Sequence, residues 1–421
     1  MIILAVVTPY EGDAYINQLS HYCVDHEYSL ARYTHEYLLQ HPTWPTEWQL
    51  HSVMMAWADY VYTGEITSLE AFYDDLCVKT LMGLGREDGL ISTESELCNR
   101  DFEERLHLYH PNYIFNHGLR DLVDWPPGSF TDGEQGERDN HEMLPVNTVV
   151  NAFHCHALRL MSRISQALGN TDVQERFSNQ ADLVYNSINR LLFDHTRGIY
   201  VDGEGSEHSS LHSNMFMLAF DLVPDDRKAS VISFVKSRGM ACSVYGAQYL
   251  LEALYQNGED QYALELMTAQ HDRSWWNMIR CGSTITMEAW DLKYKNNLDW
   301  NHAWGAAPAN IIPRFVLGVR PLEPGFSKVL IQPQPGLLKH ISGTVPTIRG
   351  PVTVSLETTQ ASSIKLRVAI PADTNAKIGL KLRNENSTTL IVDGKQVDVH
   401  PENGHLFLND INPGTHVLVY E

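Results

Sequence analysis

Apolar residues in this chain keep two different periods. From Asp13 to about Leu317 they recur every three or four positions, the spacing of one helix face, and from about Val319 to Glu421 they alternate. The first pattern divides into eleven predicted helices, near 13–24, 27–40, 47–62, 66–84, 144–168, 171–190, 207–221, 224–237, 245–256, 259–270 and 302–317. Short turns such as QHPTWPT and LGNTD join many of them, which makes neighbours antiparallel pairs. The second pattern holds KVLIQPQP, SSIKLRVAIP, TTLIVDGKQVDV with an Asp-Gly hairpin signal, and a final THVLVYE, and it predicts an antiparallel β-sandwich. The expected organisation is a helical domain over 1–317 followed by a β domain over 318–421.

Two long stretches of the helical part, about 85–143 and 271–301, keep no sustained period. Loops of that length inside a compact domain are usually functional or disordered, and these carry too many aromatics and histidines for disorder. The first contains NYIFNHGLRDLVDWPPGSF, with Asp121, Asp124 and Trp125, and the second contains SWWNM, TMEAWD and LDWNHAW. Carboxylates beside tryptophans suit a sugar, because an indole packs on the apolar face of a pyranose while acids and imidazoles bond its hydroxyls.

Each of these residues also has a structural reading. Trp275, Trp276, Trp290, Trp300 and Trp304 fit core or loop-anchoring roles, Asp124 fits a turn, and His302 fits a helix-capping region. Glu288 is harder to place that way. Its neighbours Met287, Ala289 and Trp290 are apolar and no Arg or Lys lies within four residues of it. A carboxylate so placed is either exposed or tuned for general acid/base work.

Composition narrows the classes. A chain of 421 residues, 43% hydrophobic and 10% aromatic, is long enough for one large core and a smaller second one. Its 31 Lys and Arg against 52 Asp and Glu give a net charge of −21, which repels nucleic acid and anionic lipid. The six cysteines, Cys23, Cys77, Cys98, Cys155, Cys242 and Cys281, have neither zinc nor disulfide spacing, and no cofactor or metal is expected. HCH at His154–His156 puts its two imidazoles on different helix faces. No apolar run is long enough for a membrane span and no targeting signal is visible, so the compartment stays open. The abrupt MIILAVV start, followed by TPYEGD, reads as a cut beginning.

Three segments carry a resemblance: STITMEAWDLKYKNNLDWNHAWGAAPANIIPRFVLGVRPLEPGFSKVLIQPQPG, YEGDAYINQLSHYCVDHEYSLARYTHEYLLQHPTWPTEW and RDLVDWPP. Together they resemble the bacterial and fungal α-L-rhamnosidases, inverting glycoside hydrolase family 78. The resemblance implies an (α/α)6 barrel, its first helix missing here, followed by a C-terminal antiparallel β-sandwich. It implies terminal α-L-rhamnose as ligand and Glu288 as the general base that activates water. It further places Asp13, Asp121, Asp124, Trp125, Trp290 and His302 around the sugar, with Leu122 where the family often has tryptophan.

Inversion needs a second carboxyl, about 6.5 to 9.5 Å from the base, to protonate the leaving oxygen. The family's acid precedes Asp13 by seven positions, and Val6 stands there. Glu11 is the nearby carboxylate left as a substitute. The expectation is thus an impaired, N-terminally incomplete enzyme with an apolar face near Tyr15 to Cys23 uncovered, a surface for self-association. A non-catalytic carbohydrate-binding protein on the same scaffold, or another (α/α)6 enzyme such as a trehalase-like or glucoamylase-like hydrolase or a lyase, stays open.

Overall fold

The computed structural model describes residues 9–109, 118–127, 136–358, 363–382, 389–399, 401–402 and 404–420. Val6 and parts of the first long loop lie outside them. Helices fill the chain up to Val316 and strands build the remainder from Val319 onward.

Six helices form an inner ring: α1 (Glu11–Val24), α3 (Thr46–Thr63), α7 (Thr148–Ala167), α9 (Leu211–Ala219), α11 (Gly246–Gln256) and α14 (Ala307–Ile311). Each packs on the next, and α14 closes the ring against α1. Outside it lie α2 (Ser29–Gln40), the broken pair α4 (Thr67–Ala71) and α5 (Tyr73–Lys79), α8 (Thr171–Leu191), α10 (Asp225–Arg238) and α12 (Asp260–Met267). The described residues thus supply six inner and five outer positions of an (α/α)6 barrel. Burial explains the difference in composition between the layers. Every residue of α9 is buried, whereas α10 buries only Val231 and Val235, one apolar stripe on a charged helix.

All eleven predicted helices are present, at shifted ends. The segment predicted near 302–317 is the most altered. It begins as a single tight turn at Ala303–Gly305, runs through α14 and widens into a π turn over Ile312–Val316. Pro313 lacks the N–H that the regular ladder needs there, and its ring crowds the carbonyl one turn back. Two short helices, α6 (Arg100–Arg105) and α13 (Trp275–Arg280), and a hairpin of β1 (Phe193–Asp194) with β2 (Ile199–Tyr200) fall outside the predicted elements. They are too short to show a period.

One expectation is corrected here. Tyr15, Ile16, Leu19, Tyr22 and Cys23 are all buried, because α1 sits between α3 and α14, so the face near Tyr15 to Cys23 is covered. The His pair is also resolved. His154 is buried and its Nδ1 bonds the Thr80 carbonyl at 2.7 Å, while His156 stacks on Phe220.

The β part is a two-sheet sandwich. One sheet has the order β10 (Lys395–Asp398), β9 (Thr389–Val392), β13 (Gly414–Tyr420), β7 (Ile364–Ile370), β6 (Val352–Thr358) and β5 (His340–Val345), all antiparallel. Leu366, Val368 and Ile370 point inward while Lys365 and Arg367 point out, the period-2 pattern read from the sequence. Asp393 and Gly394, at φ 51° and 79°, form the predicted two-residue turn between β9 and β10. The second sheet has the order β11 (Pro401–Glu402), β12 (His405–Ile411), β8 (Asn375–Lys381), β4 (Lys328–Ile331) and β3 (Val319–Pro321). Its β4 and β8 run parallel, a departure from the purely antiparallel expectation. Barrel and sandwich meet closely at Gly64, which ends α3 at φ 74°. A Cβ there would lie 3.3 Å from the Cα of Gly325.

Candidate active site

The second long loop folds back on itself so that Glu288 faces Asp299. The Glu288 N–H donates to the Asp299 carbonyl at 2.9 Å, and the His302 N–H donates to the Thr286 carbonyl at 2.9 Å. The Thr286 hydroxyl and the Trp304 indole add bonds to the His302 and Glu288 carbonyls. With its backbone held on both sides, the Glu288 carboxylate is presented in one geometry. Its Oε1 accepts from Trp125 Nε1 at 3.1 Å; its Oε2 accepts from the Asp299 N–H at 2.9 Å and pairs with Lys295 Nζ at 3.0 Å. Charge-assisted donors of this kind offset the cost of partly burying an acid. Lys295 lies seven positions beyond Glu288, outside the four-residue neighbourhood the sequence offered, and the loop's return brings it back.

Beside Glu288 sits an acid and imidazole pair. Asp13, on the first turn of α1, accepts from His302 Nε2 at 2.6 Å, joining residues 289 positions apart. Burial pulls the His302 imidazolium down, but the bond and charge of Asp13, with Glu288 and Asp299 beyond, outweigh it and leave the group raised above its ordinary 6.5. Tyr10 shares this neighbourhood. Burial first, then Asp13, Glu11 and Glu288, push its phenol upward.

Trp125 is placed on Oε1 by a buried polar scaffold. Glu47, on the first turn of α3, accepts from the backbone N–H of Leu122 and of Val123, the latter at 2.6 Å. Val123 is thereby held at φ 64°, a conformation a β-branched residue rarely takes. Burial and the neighbouring Asp121 charge raise Glu47, and burial raises Asp121. Next in the chain, Asp124 accepts from the Trp125 N–H at 2.8 Å, from the Ser243 hydroxyl, from the Ser243 N–H at 2.9 Å, and bonds His212 Nε2 at 2.7 Å. Gly246 leaves it room: a Cβ there would meet Asp124 Oδ2 at 2.7 Å.

Three of the predicted site residues are fully buried. Asp124 is 0% exposed with both oxygens hydrogen-bonded within the fold, so it anchors the wall that carries Trp125. Trp290 is also 0% exposed, its indole N–H bonded to the Cys242 carbonyl and its ring edge-on to Trp275, which makes it core beneath the loop. Glu11 is enclosed too. Its Oε1 accepts from the Thr43 N–H at 3.0 Å and its Oε2 from the Thr43 hydroxyl, so both oxygens are engaged within the fold. Asp121 is partly buried, with the Thr93 hydroxyl at 3.3 Å from its Oδ1. Glu288, Trp125, Asp13 and His302 are the predicted residues that come together. Glu47, Ser243, His212, Lys295 and Asp299 join them through long-range contacts that leave no local sequence signal.

The comparisons with known proteins converge on one group. Residues 8–316 match the family described as bacterial alpha-L-rhamnosidase 6 hairpin glycosidase domain, and residues 318–392 match bacterial alpha-L-rhamnosidase C-terminal domain. An alpha-L-rhamnosidase of Alteromonas sp. (strain LOR) is 24% identical over 286 residues, 64% of this chain and 30% of that protein. One from Formosa agariphila is 22% identical over 359 residues, 81% of this chain and 34% of that protein. This chain therefore spans about a third of the length of these curated relatives. Among solved structures, the α-L-rhamnosidase from Dictyoglumus thermophilum superposes with a TM-score of 0.77 at 17% identity, covering 98% of this chain and 46% of its own. The Streptomyces avermitilis α-L-rhamnosidase complexed with L-rhamnose gives 0.75 at 16% identity, covering 98% and 38%. At such identities the superpositions speak for the fold.

Proposed function

The chain belongs to the bacterial α-L-rhamnosidase six-hairpin glycosidase family, and from that premise we propose that it is the catalytic part of an inverting glycoside hydrolase that removes terminal α-L-rhamnose, with catalytic and β domains over 1–317 and 318–421. The observation that carries this reading is the held carboxylate of Glu288 beside the Asp13–His302 pair. In the proposed reaction Glu288 takes a proton from water as the water oxygen bonds the anomeric carbon, and the leaving group departs with the electron pair. Asp13, His302 and Trp125 bind and orient the sugar, and Asp121 lines the pocket behind them.

Protonation of the leaving group is the weaker half. Val6 occupies the family's acid position and Glu11 is enclosed. Turnover by this chain is accordingly expected to depend on leaving groups that depart without a proton. The test is side-by-side incubation with the 4-nitrophenyl α-L-rhamnoside and α-D-glucoside, together with calorimetry of L-rhamnose. Release from the rhamnoside alone supports the proposal. Release from the glucoside alone contradicts it, and rhamnose binding with no turnover of either substrate favours a carbohydrate-binding role on the same scaffold.

A further inference from the structure

Glu288 does not offer its two oxygens equally. A carboxylate has two acceptor positions on each oxygen. Oε2 accepts the Asp299 N–H and is ion-paired with Lys295 Nζ at 3.0 Å, whereas among the described residues Oε1 takes the Trp125 indole alone. Lys295 is itself fixed. Its ammonium has three N–H donors, and besides Glu288 it reaches the Asn297 carbonyl at 3.3 Å and the Asn297 side-chain oxygen at 3.0 Å. Its side chain is only 15% exposed, so the pair is shielded from the solvent that makes most surface ion pairs weak.

The other charged groups around Glu288 act in both directions. Asp13 and Asp299 bring negative charge, His302 brings positive charge when protonated, and the Tyr10 phenol lies close by. Among the described residues Lys295 is the cation in direct contact with the Glu288 carboxylate.

We propose that Lys295 is a positioning residue for the base: its ammonium sets an opposite charge against Oε2 and leaves the side of Oε1 away from Trp125 as the atom that accepts the proton of the attacking water. This rests on the reading of Glu288 as base. It adds a choice of oxygen and a residue that sets the acid limit of activity.

The test uses the full chain with [δ-13C]glutamate, following the Glu288 carboxyl resonance, assigned by its loss in Glu288→Gln, as pH is changed. In Lys295→Met the midpoint of that titration should rise by about one pH unit or more, the size of effect an adjacent cation exerts on a carboxylate. Lys295→Arg should stay near the parent, because the charge is kept. Lys295→Gln, which keeps a hydrogen-bond donor but not the charge, supplies the same measurement if the methionine variant does not fold. An unmoved midpoint in the neutral variants, or an arginine variant that behaves like them, overturns the proposal. The readout needs no turnover, so it stands apart from whether the chain hydrolyses rhamnosides. Where it does, the acid limb of kcat with an α-L-rhamnosyl fluoride should move by the same interval while KM changes little. A fall in kcat with an unmoved limb would mark Lys295 as merely structural.

Discussion

At the scale of single residues, the site is a small number of partly buried groups standing on fully buried ones. Ser243 illustrates this. It touches nothing at the surface, yet its hydroxyl and N–H hold Asp124, whose neighbour Trp125 reaches Glu288. Ser243→Ala should lower stability by about 1–3 kcal/mol, the cost of stripping a buried carboxylate of a partner, measurable by urea denaturation; an unchanged midpoint would mean that Asp124 does not depend on it. The two tryptophans once grouped together should now separate. Trp290→Ala should cost about 3–5 kcal/mol as a core truncation, whereas Trp125→Phe should leave stability nearly intact and weaken L-rhamnose binding, with calorimetry and thermal melts deciding between them. Asp13 and His302 make a pH-dependent pair. Because folding raises the His302 imidazolium above 6.5, its contribution is complete below that pH and is lost as pH climbs through the raised value. The melting temperature of the parent should therefore exceed that of His302→Phe most below pH 6.5, with the gap narrowing on the alkaline side. A gap that widens there would reverse the sign of the linkage. Glu288 was legible in the sequence because an acid among apolar residues is conspicuous. Glu47, Ser243 and Lys295 were not, since an acid in a helix's first turn, a serine just ahead of a helix and a lysine in a charged loop each have ordinary local explanations.

At the scale of elements, periodicity located every long helix and failed on the short ones. A helix of six residues, such as α13, turns fewer than twice and has no repeat to detect. Side-chain caps did not decide how well ends were placed: α3, whose start has no side-chain cap, begins one residue before its predicted 47, whereas α7, where Asn147 accepts from the Val149 and Val150 N–H groups, begins four residues after its predicted 144. The sharpest constraint lies where α3 ends against the sandwich. Gly64→Ala would put a Cβ into a left-handed residue and against Gly325, so it should destabilise the chain by about 1 kcal/mol or more. Thermal melting that is unchanged would show that the two parts adjust freely at this contact.

At the scale of the whole molecule, the ring of inner helices brings α1, α3 and the loops after α5 and α12 to one place, which is why residues from 13 to 302 converge. The high negative charge disfavours anionic polymers as partners. The central claim is that Glu288 activates water for inversion at an α-L-rhamnosyl centre, and it is tested most directly with α-L-rhamnosyl fluoride, whose leaving group needs no acid. Proton NMR should detect the β anomer of L-rhamnose first, and Glu288→Gln should slow its release by roughly a hundredfold or more. The α anomer as first product, or a glutamine variant as fast as the parent, would contradict it.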